Sequence, residues 1–205
     1  SSIYTFPMNL ELITKQVVNL SRAVGQYIQE EAQKFKDNDI EEKSIHNLVT
    51  YVDKESEKIL VQELGKILPQ AGFIAEENSS LSRSEQFNWV IDPLDGTKEF
   101  VARRNEFTVN IALIENGIPT FAIVYAPALG ALYTAKNTNV ATLQNVIDLK
   151  TLQQEQIIKV RDIPKEGISA VASKSHRDQE TNDLLEKYKV TNILSIGSSL
   201  KFCLL

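Results

Sequence analysis

Asp92 and Asp95 stand three residues apart in Asp92-Pro93-Leu94-Asp95-Gly96-Thr97, a spacing that can turn two carboxylates toward one point. Oxygen donors so placed suit a hard cation such as Mg²⁺, which binds through one or two carboxylates and keeps several waters. Thr97 suits the N-cap of a helix over residues 98–104, and the exposed N–H groups of a helix start favour an anion. One turn therefore offers a place for a metal and a place for a phosphate. The competing reading is a plain turn before a capped helix, because Asp, Pro and Gly are ordinary turn residues.

Such a turn needs support. Trp89-Val90-Ile91 reads as a buried strand that ends in the Asp92 carboxylate. Pro93 fixes its own φ and pushes Asp92 into an extended conformation, and Gly96 permits a backbone shape other residues resist. Upstream, Leu10, Ile13, Val17, Leu20, Val24 and Ile28 recur at helical spacing and predict an amphipathic helix over residues 8–35. Residues 34–47 are dense in charge and read as a surface loop or hairpin, in which His46 is a solvated side chain. A second apolar helical face, with Ile59, Leu60, Leu64, Ile67 and Leu68, covers residues 54–68. Asp53 lies at or near its start, where an N-cap is the plain reading. Gly72-Phe73-Ile74-Ala75 is a short strand finishing in Glu76-Glu77, so again a strand delivers acid at its end.

Downstream, runs at residues 107–114 and 118–125 flank Asn116-Gly117, a hairpin signal, and residues 131–135 add a third strand of an antiparallel meander. Residues 136–156 are polar and poorly periodic, a surface excursion at a domain junction to which no chemistry is assigned. Strands follow near 157–160, 168–172 and 191–195, with a helix over 178–188. Ser173-Lys174-Ser175-His176 and Gly197-Ser198-Ser199-Leu200-Lys201 fall at strand-to-helix junctions, where ligands are often met. Their plain reading is a capping Ser175, a solvated His176 and a surface Lys201.

The 205 residues are 42% hydrophobic and 24% charged with a formal net charge of -5, the composition of a soluble globular protein without the electrostatic footprint of a duplex-binding one. A single cysteine, Cys203, excludes an intrachain disulfide framework and fits a reducing compartment. On Cys203's apolar segment a small buried residue is the expected role. Residues 1–10 show no basic region followed by an apolar core, and no run approaches the roughly 18 apolar residues of a membrane span, so a cytoplasmic location is expected.

Trp89-Val90-Ile91 followed by Asp92-Pro93-Leu94-Asp95-Gly96-Thr97 resembles the signature of the inositol monophosphatase superfamily of metal-dependent, lithium-sensitive phosphatases. Lys98-Glu99-Phe100 and Asn105-Glu106-Phe107-Thr108-Val109-Asn110 are similar to its bacterial 3'(2'),5'-bisphosphate nucleotidase branch. The resemblance implies a layered α-β-α-β-α sandwich of the inositol monophosphatase and fructose-1,6-bisphosphatase type, an α/β fold with an α+β N-terminal part. Residues 1–136 would bind metal and residues 137–205 would cover the substrate. It implies Glu76, Asp92, Asp95 and the Leu94 carbonyl as ligands of roughly two or three Mg²⁺ ions, with Glu77 behind them. Ala75 stands where Gly or Ser is more usual before the acidic pair. Thr97 would orient a water, with Asp53 as the base behind it. Gly96, Thr97, His176, Ser198 and Lys201 would contact substrate.

The implied reaction is hydrolysis of the 3'-phosphate of adenosine 3',5'-bisphosphate to AMP and phosphate. The alternatives are an inositol or sugar monophosphatase and a catalytically incomplete binding protein, and peripheral membrane association is compatible with all three. The third arises because the segment from Lys201 to Leu205 carries no stop signal, whereas family members continue to a further Asp ligand. The resemblance thus implies a chain that is incomplete at its C-terminal side.

Overall fold

The computed structural model describes residues 8–44, 47–137, 139–148, 150–174 and 176–205; His46 and Ser175 lie outside them. The first apolar stripe becomes one helix, α1 (Leu10–Ala32), started by Asn9, whose side chain accepts from the Leu12 N–H at 3.1 Å. Ile13, Val17, Val24 and Ile28 are its buried stripe. The charged stretch after it forms the hairpin of β1 (Ile40–Ser44) and β2 (Asn47–Thr50).

The second helix, α2 (Tyr51–Ile67), begins earlier than residue 54, because Thr50 rather than Asp53 is the N-cap. Asp53 sits in the first turn and its carboxylate accepts from the Thr50 N–H at 2.8 Å, while Thr50 Oγ1 accepts from Val52 N–H at 3.2 Å. This reciprocal capping box fixes the Asp53 rotamer. The helix packs on α1 and on the strand that carries the acidic turn.

Seven strands form the main sheet in sequence order: β3 (Gly72–Ala75), β4 (Phe87–Asp95), β5 (Thr108–Glu115), β6 (Ile118–Ala126), β7 (Ala131–Ala135), β8 (Ala141–Asn145) and β9 (Gln156–Ile158). The β3/β4 pair is parallel and every later pair is antiparallel. Asn116 and Gly117 turn the β5–β6 hairpin with φ of 51° and 80°, the left-handed pair that such a two-residue turn demands. The polar excursion expected over residues 136–156 instead contributes β8, and the sheet runs on to Ile158, past the junction expected at residue 136. Polarity hid β8. Thr142 is buried in β8 with its hydroxyl donating to Glu155 Oε1 at 2.6 Å, so a polar residue occupies an inward position.

Helices α1 and α2 form a layer over β4, β5 and β6. Beyond the sheet, β10 (Ile168–Ser173) and β11 (Val190–Ile196) pair in parallel, joined by α4 (Gln179–Lys187). A 3-10 turn over Ser199–Leu204 touches both β10 and β6, so it ties this α/β unit to the main sheet. The architecture is α/β. No helix among the described residues is long and apolar enough to cross a membrane.

Leu60 and Leu64 of α2 and Trp89 of β4 are fully enclosed, and α2 packs on β4. Leu60→Ala removes a completely buried side chain from that contact, and we expect about 3 kcal/mol of lost stability. A urea titration would show it as a lower midpoint at unchanged slope. A loss within about 0.5 kcal/mol, the range of surface substitutions, would mean that α2 is not part of the core.

Candidate active site

Residues three apart on a regular strand face opposite sides, so Asp92 and Asp95 could not share a cleft if β4 were uniform. It is not uniform. Asp92 pairs with Asn110 and Asp95 with Thr108, so three steps on β4 match two on β5. This bulge absorbs the extra residue and brings both carboxylates to one wall. Pro93, which has no N–H to give the ladder, falls inside it. The Leu94 N–H turns back to Asp92 Oδ1 at 3.3 Å.

Gly96, not Thr97, is the N-cap of α3 (Thr97–Val101), with φ 89° and ψ 41°. A Cβ there would stand 3.0 Å from both the Glu106 carbonyl oxygen and Ser198 Cβ, so glycine is required by backbone shape and by space. Thr97 therefore becomes the first helical residue. Its hydroxyl donates to Asp53 Oδ1 at 2.8 Å and lies 3.3 Å from the Leu94 carbonyl oxygen. The helix expected over residues 98–104 ends at Val101, which leaves little aligned dipole for an anion. Its placement rests on Phe100, stacked on Phe35 at 5.0 Å and edge-on to Phe107 at 5.4 Å.

Parallel pairing sets Ala75 beside Ile91, so Glu76 follows β3 next to where Asp92 follows Ile91. The Glu76 N–H donates to the Ile91 carbonyl at 3.2 Å, and the Glu77 N–H donates to Glu57 Oε1 at 2.8 Å, which ties this loop to α2.

Glu76, Asp92, Leu94 and Asp95 line a cleft of about 330 Å³ together with His176, Ser198 and Lys201. Gly96 and Thr97 line it as well, and Asp53 stands behind Thr97, buried. Basic side chains share the cleft with these carboxylates. Lys201 Nζ donates to the Ser198 carbonyl at 2.6 Å, and Lys98 Nζ lies 3.4 Å from His176 Nε2. Lys98 and Ser199 also line the cleft and were not singled out in the sequence. Only the strand-end position of Ser199 hinted at its place.

Burial, then the neighbouring carboxylates of Asp95 and Glu76, push the Asp92 carboxyl up to about 8. Burial also raises Asp53 above the usual carboxylate range, against the hydrogen bonds from Thr50 and Thr97 that lower it. A carboxyl raised by other carboxylates gains from a nearby cation. Among the described residues no group of three or more His, Cys, Asp or Glu side chains stands preformed around an ion position. The donor chemistry nevertheless fits Mg²⁺, which needs only one or two protein carboxylates and completes its shell with water and phosphate oxygens.

The family model described as the inositol monophosphatase family matches residues 9–205. The 3'(2'),5'-bisphosphate nucleotidase CysQ of Buchnera aphidicola is 35% identical over 193 residues, 93% of this chain and 70% of that protein. The crystal structure of CysQ from Bacteroides thetaiotaomicron, a bacterial member of the inositol monophosphatase family, superposes with a TM-score of 0.74 at 27% identity, over 99% of this chain and 77% of that one. The IMPase of Thermotoga maritima shares the fold, with a TM-score of 0.73 at 24% identity over 89% and 67% of the two chains.

Proposed function

Because this chain belongs to the inositol monophosphatase family and is a phosphatase, we propose that it removes the 3'-phosphate of adenosine 3',5'-bisphosphate in a Mg²⁺-dependent reaction, releasing AMP and phosphate. The observation that carries the reading is a single cleft lined both by the carboxylates of Glu76, Asp92 and Asp95 and by Lys98, His176 and Lys201. A substrate with two phosphates suits it. One phosphate would meet the acidic wall through metal, and the second would meet the cations directly.

Glu76, Asp92, Asp95 and the Leu94 carbonyl would hold the metal. When bound, Mg²⁺ supplies polarisation of the phosphoryl oxygens and acidification of water. The protein's own part lies in orientation. Asp53 Oδ2 accepts from both the N–H and the hydroxyl of Thr50, at 2.8 Å and 2.7 Å, so Oδ1 is aimed at Thr97. With its proton directed to Asp53, the Thr97 oxygen presents lone pairs to the cleft and orients a water by accepting one of its hydrogens. The attacking oxygen then faces phosphorus while its proton has a path through Thr97 to Asp53. The Ser198 carbonyl holds the Lys201 ammonium at the cleft, and Gly96 lets the backbone approach the substrate.

A substrate panel with Mg²⁺, with and without lithium, tests this. Adenosine 3',5'-bisphosphate should turn over faster than AMP analogues with one phosphate and faster than inositol 1-phosphate. Preference for inositol 1-phosphate would replace the reading with the inositol phosphatase one. Lys201→Ala should weaken the bisphosphate by about 10-fold or more, the loss of one charge-assisted contact, and leave monophosphates nearly unchanged. Equal losses for both classes would remove Lys201 from specificity.

A further inference from the structure

Three side chains that no assigned role uses form a closed ring beside the acidic turn. Ser199 Oγ donates to Asn110 Oδ1 at 2.7 Å, Asn110 Nδ2 donates to Thr108 Oγ1 at 3.0 Å, and Thr108 Oγ1 lies 2.8 Å from Ser199 Oγ. Each hydroxyl has one proton. Ser199 commits its proton to Asn110, so Thr108 must donate to Ser199, and the three bonds run in one direction round the ring. Asn110 and Thr108 are the residues paired across β4/β5 with Asp92 and Asp95. Ser199 arrives from the far side of the chain, and its main-chain N–H donates to Asp95 Oδ2.

The loop that presents this N–H is strained. Ser198 has φ 60° and ψ −176°, a conformation that non-glycine residues keep only where surrounding contacts hold it. Gly197 beneath it is in turn packed on Glu99, whose Cδ would stand 2.4 Å from a Cβ at that position. Gly197 leaves no room beneath the loop, and relief of the Ser198 strain would require the loop to move. The ring opposes that.

We propose that Ser199, Asn110 and Thr108 form a latch that holds the Ser199 N–H on Asp95 and so sets the orientation of that carboxylate for a divalent cation. Ser199 and Asn110 are positioning residues, acting through Asp95. The inference rests on the metal role assigned to Asp95 above. It makes the readiness of the acidic wall conditional on closure of the β11 loop, so the basic side chains and the metal end of the cleft are set together.

The test has two arms. In metal-free protein, Asn110→Ala should speed hydrogen exchange of the Ser199 amide by about tenfold or more as the latch opens. In the second arm, Mn²⁺ affinity without substrate, read by electron paramagnetic resonance, should fall about 10-fold in Asn110→Ala and in Ser199→Ala, the usual range for losing a group behind a ligand being about 10–100-fold. The double variant should lose no more than either single one, because one ring is broken in each. Thr108→Ser, which keeps the hydroxyl, should match the unsubstituted protein. A merely structural role would lower the melting temperature and leave the Mn²⁺ dissociation constant of the folded protein alone. An unchanged Ser199 amide, an unchanged dissociation constant, or additive losses would each overturn the latch. Failure of the unsubstituted protein to take up Mn²⁺ would count against the metal site itself, and the exchange arm would still decide whether the ring holds the loop.

Discussion

Asp95→Asn should lose Mg²⁺-dependent hydrolysis on the order of a thousandfold while the protein stays folded. Losing a group behind a metal ligand costs about 10–100-fold, and removing a ligand's own charge should exceed that. The amide is the informative substitution. Asn keeps an oxygen that can accept the Ser199 N–H, so the tie between the bulge and the β11 loop survives. It removes the charge that, after burial, is the largest influence holding the Asp92 carboxyl high. Asp92 should then titrate lower, and stability should change by no more than about 1 kcal/mol in either direction. Steady-state rates across a Mg²⁺ titration, with circular dichroism and a melting curve on the same samples, separate the two effects. If the variant keeps its Mg²⁺ dependence and rate, Asp95 is not a ligand and the acidic wall has been misassigned.

What made Asp95 legible in the sequence was residue type and spacing, and what remained hidden was how the spacing could work. The strand through Trp89, the hairpin at Asn116-Gly117 and the stripe of α1 follow from local patterns and appear where those patterns place them. The bulge does not. It is a mismatch between β4 and β5, and register is a property of two segments, which no single stretch encodes. The same holds for Thr97. Read alone it is an N-cap, but Gly96 takes that position with a positive φ, and the displaced hydroxyl reaches Asp53, 44 residues away in the chain. β8 escaped notice for a different reason: its inward Thr142 is satisfied by Glu155 from beyond the strand, so polarity there marks a partner and not solvent.

Shortening of α3 also changes the electrostatic account of the site. A longer helix start would have drawn phosphate through aligned N–H groups. With five residues in α3, the proposed function leaves that attraction to side-chain cations and metal. Lys201 and His176 sit on the segment after residue 136, and Lys98 lines the same cleft. Under the proposed function, one part of the chain would meet the second phosphate and another would cleave the first, with the Ser199 loop between them.

The second large effect is expected at Thr97. Thr97→Val keeps the shape and removes the hydroxyl, so kcat should fall by about 10²–10⁴-fold, the range for losing a group that orients or relays a proton. Mn²⁺ affinity should fall by no more than about 10-fold, the low end for losing a group behind a ligand, because Asp92 and Asp95 lose no contact and only the Leu94 carbonyl, 3.3 Å from that hydroxyl, does. Stability should drop too. Asp53 Oδ1 loses its donor inside the protein, where an unsatisfied polar atom costs about 1–3 kcal/mol, and the carboxyl rises further once one of the bonds lowering it is gone. Thr97→Ser should recover most of the rate and the stability together. Combined with Asp53→Asn, Thr97→Val should cost little beyond the worse single variant, since the pair acts as one relay. Independent, multiplying losses would show that Asp53 serves the fold through Thr50 alone, and a Thr97→Val enzyme with unchanged kcat would remove the threonine from the reaction.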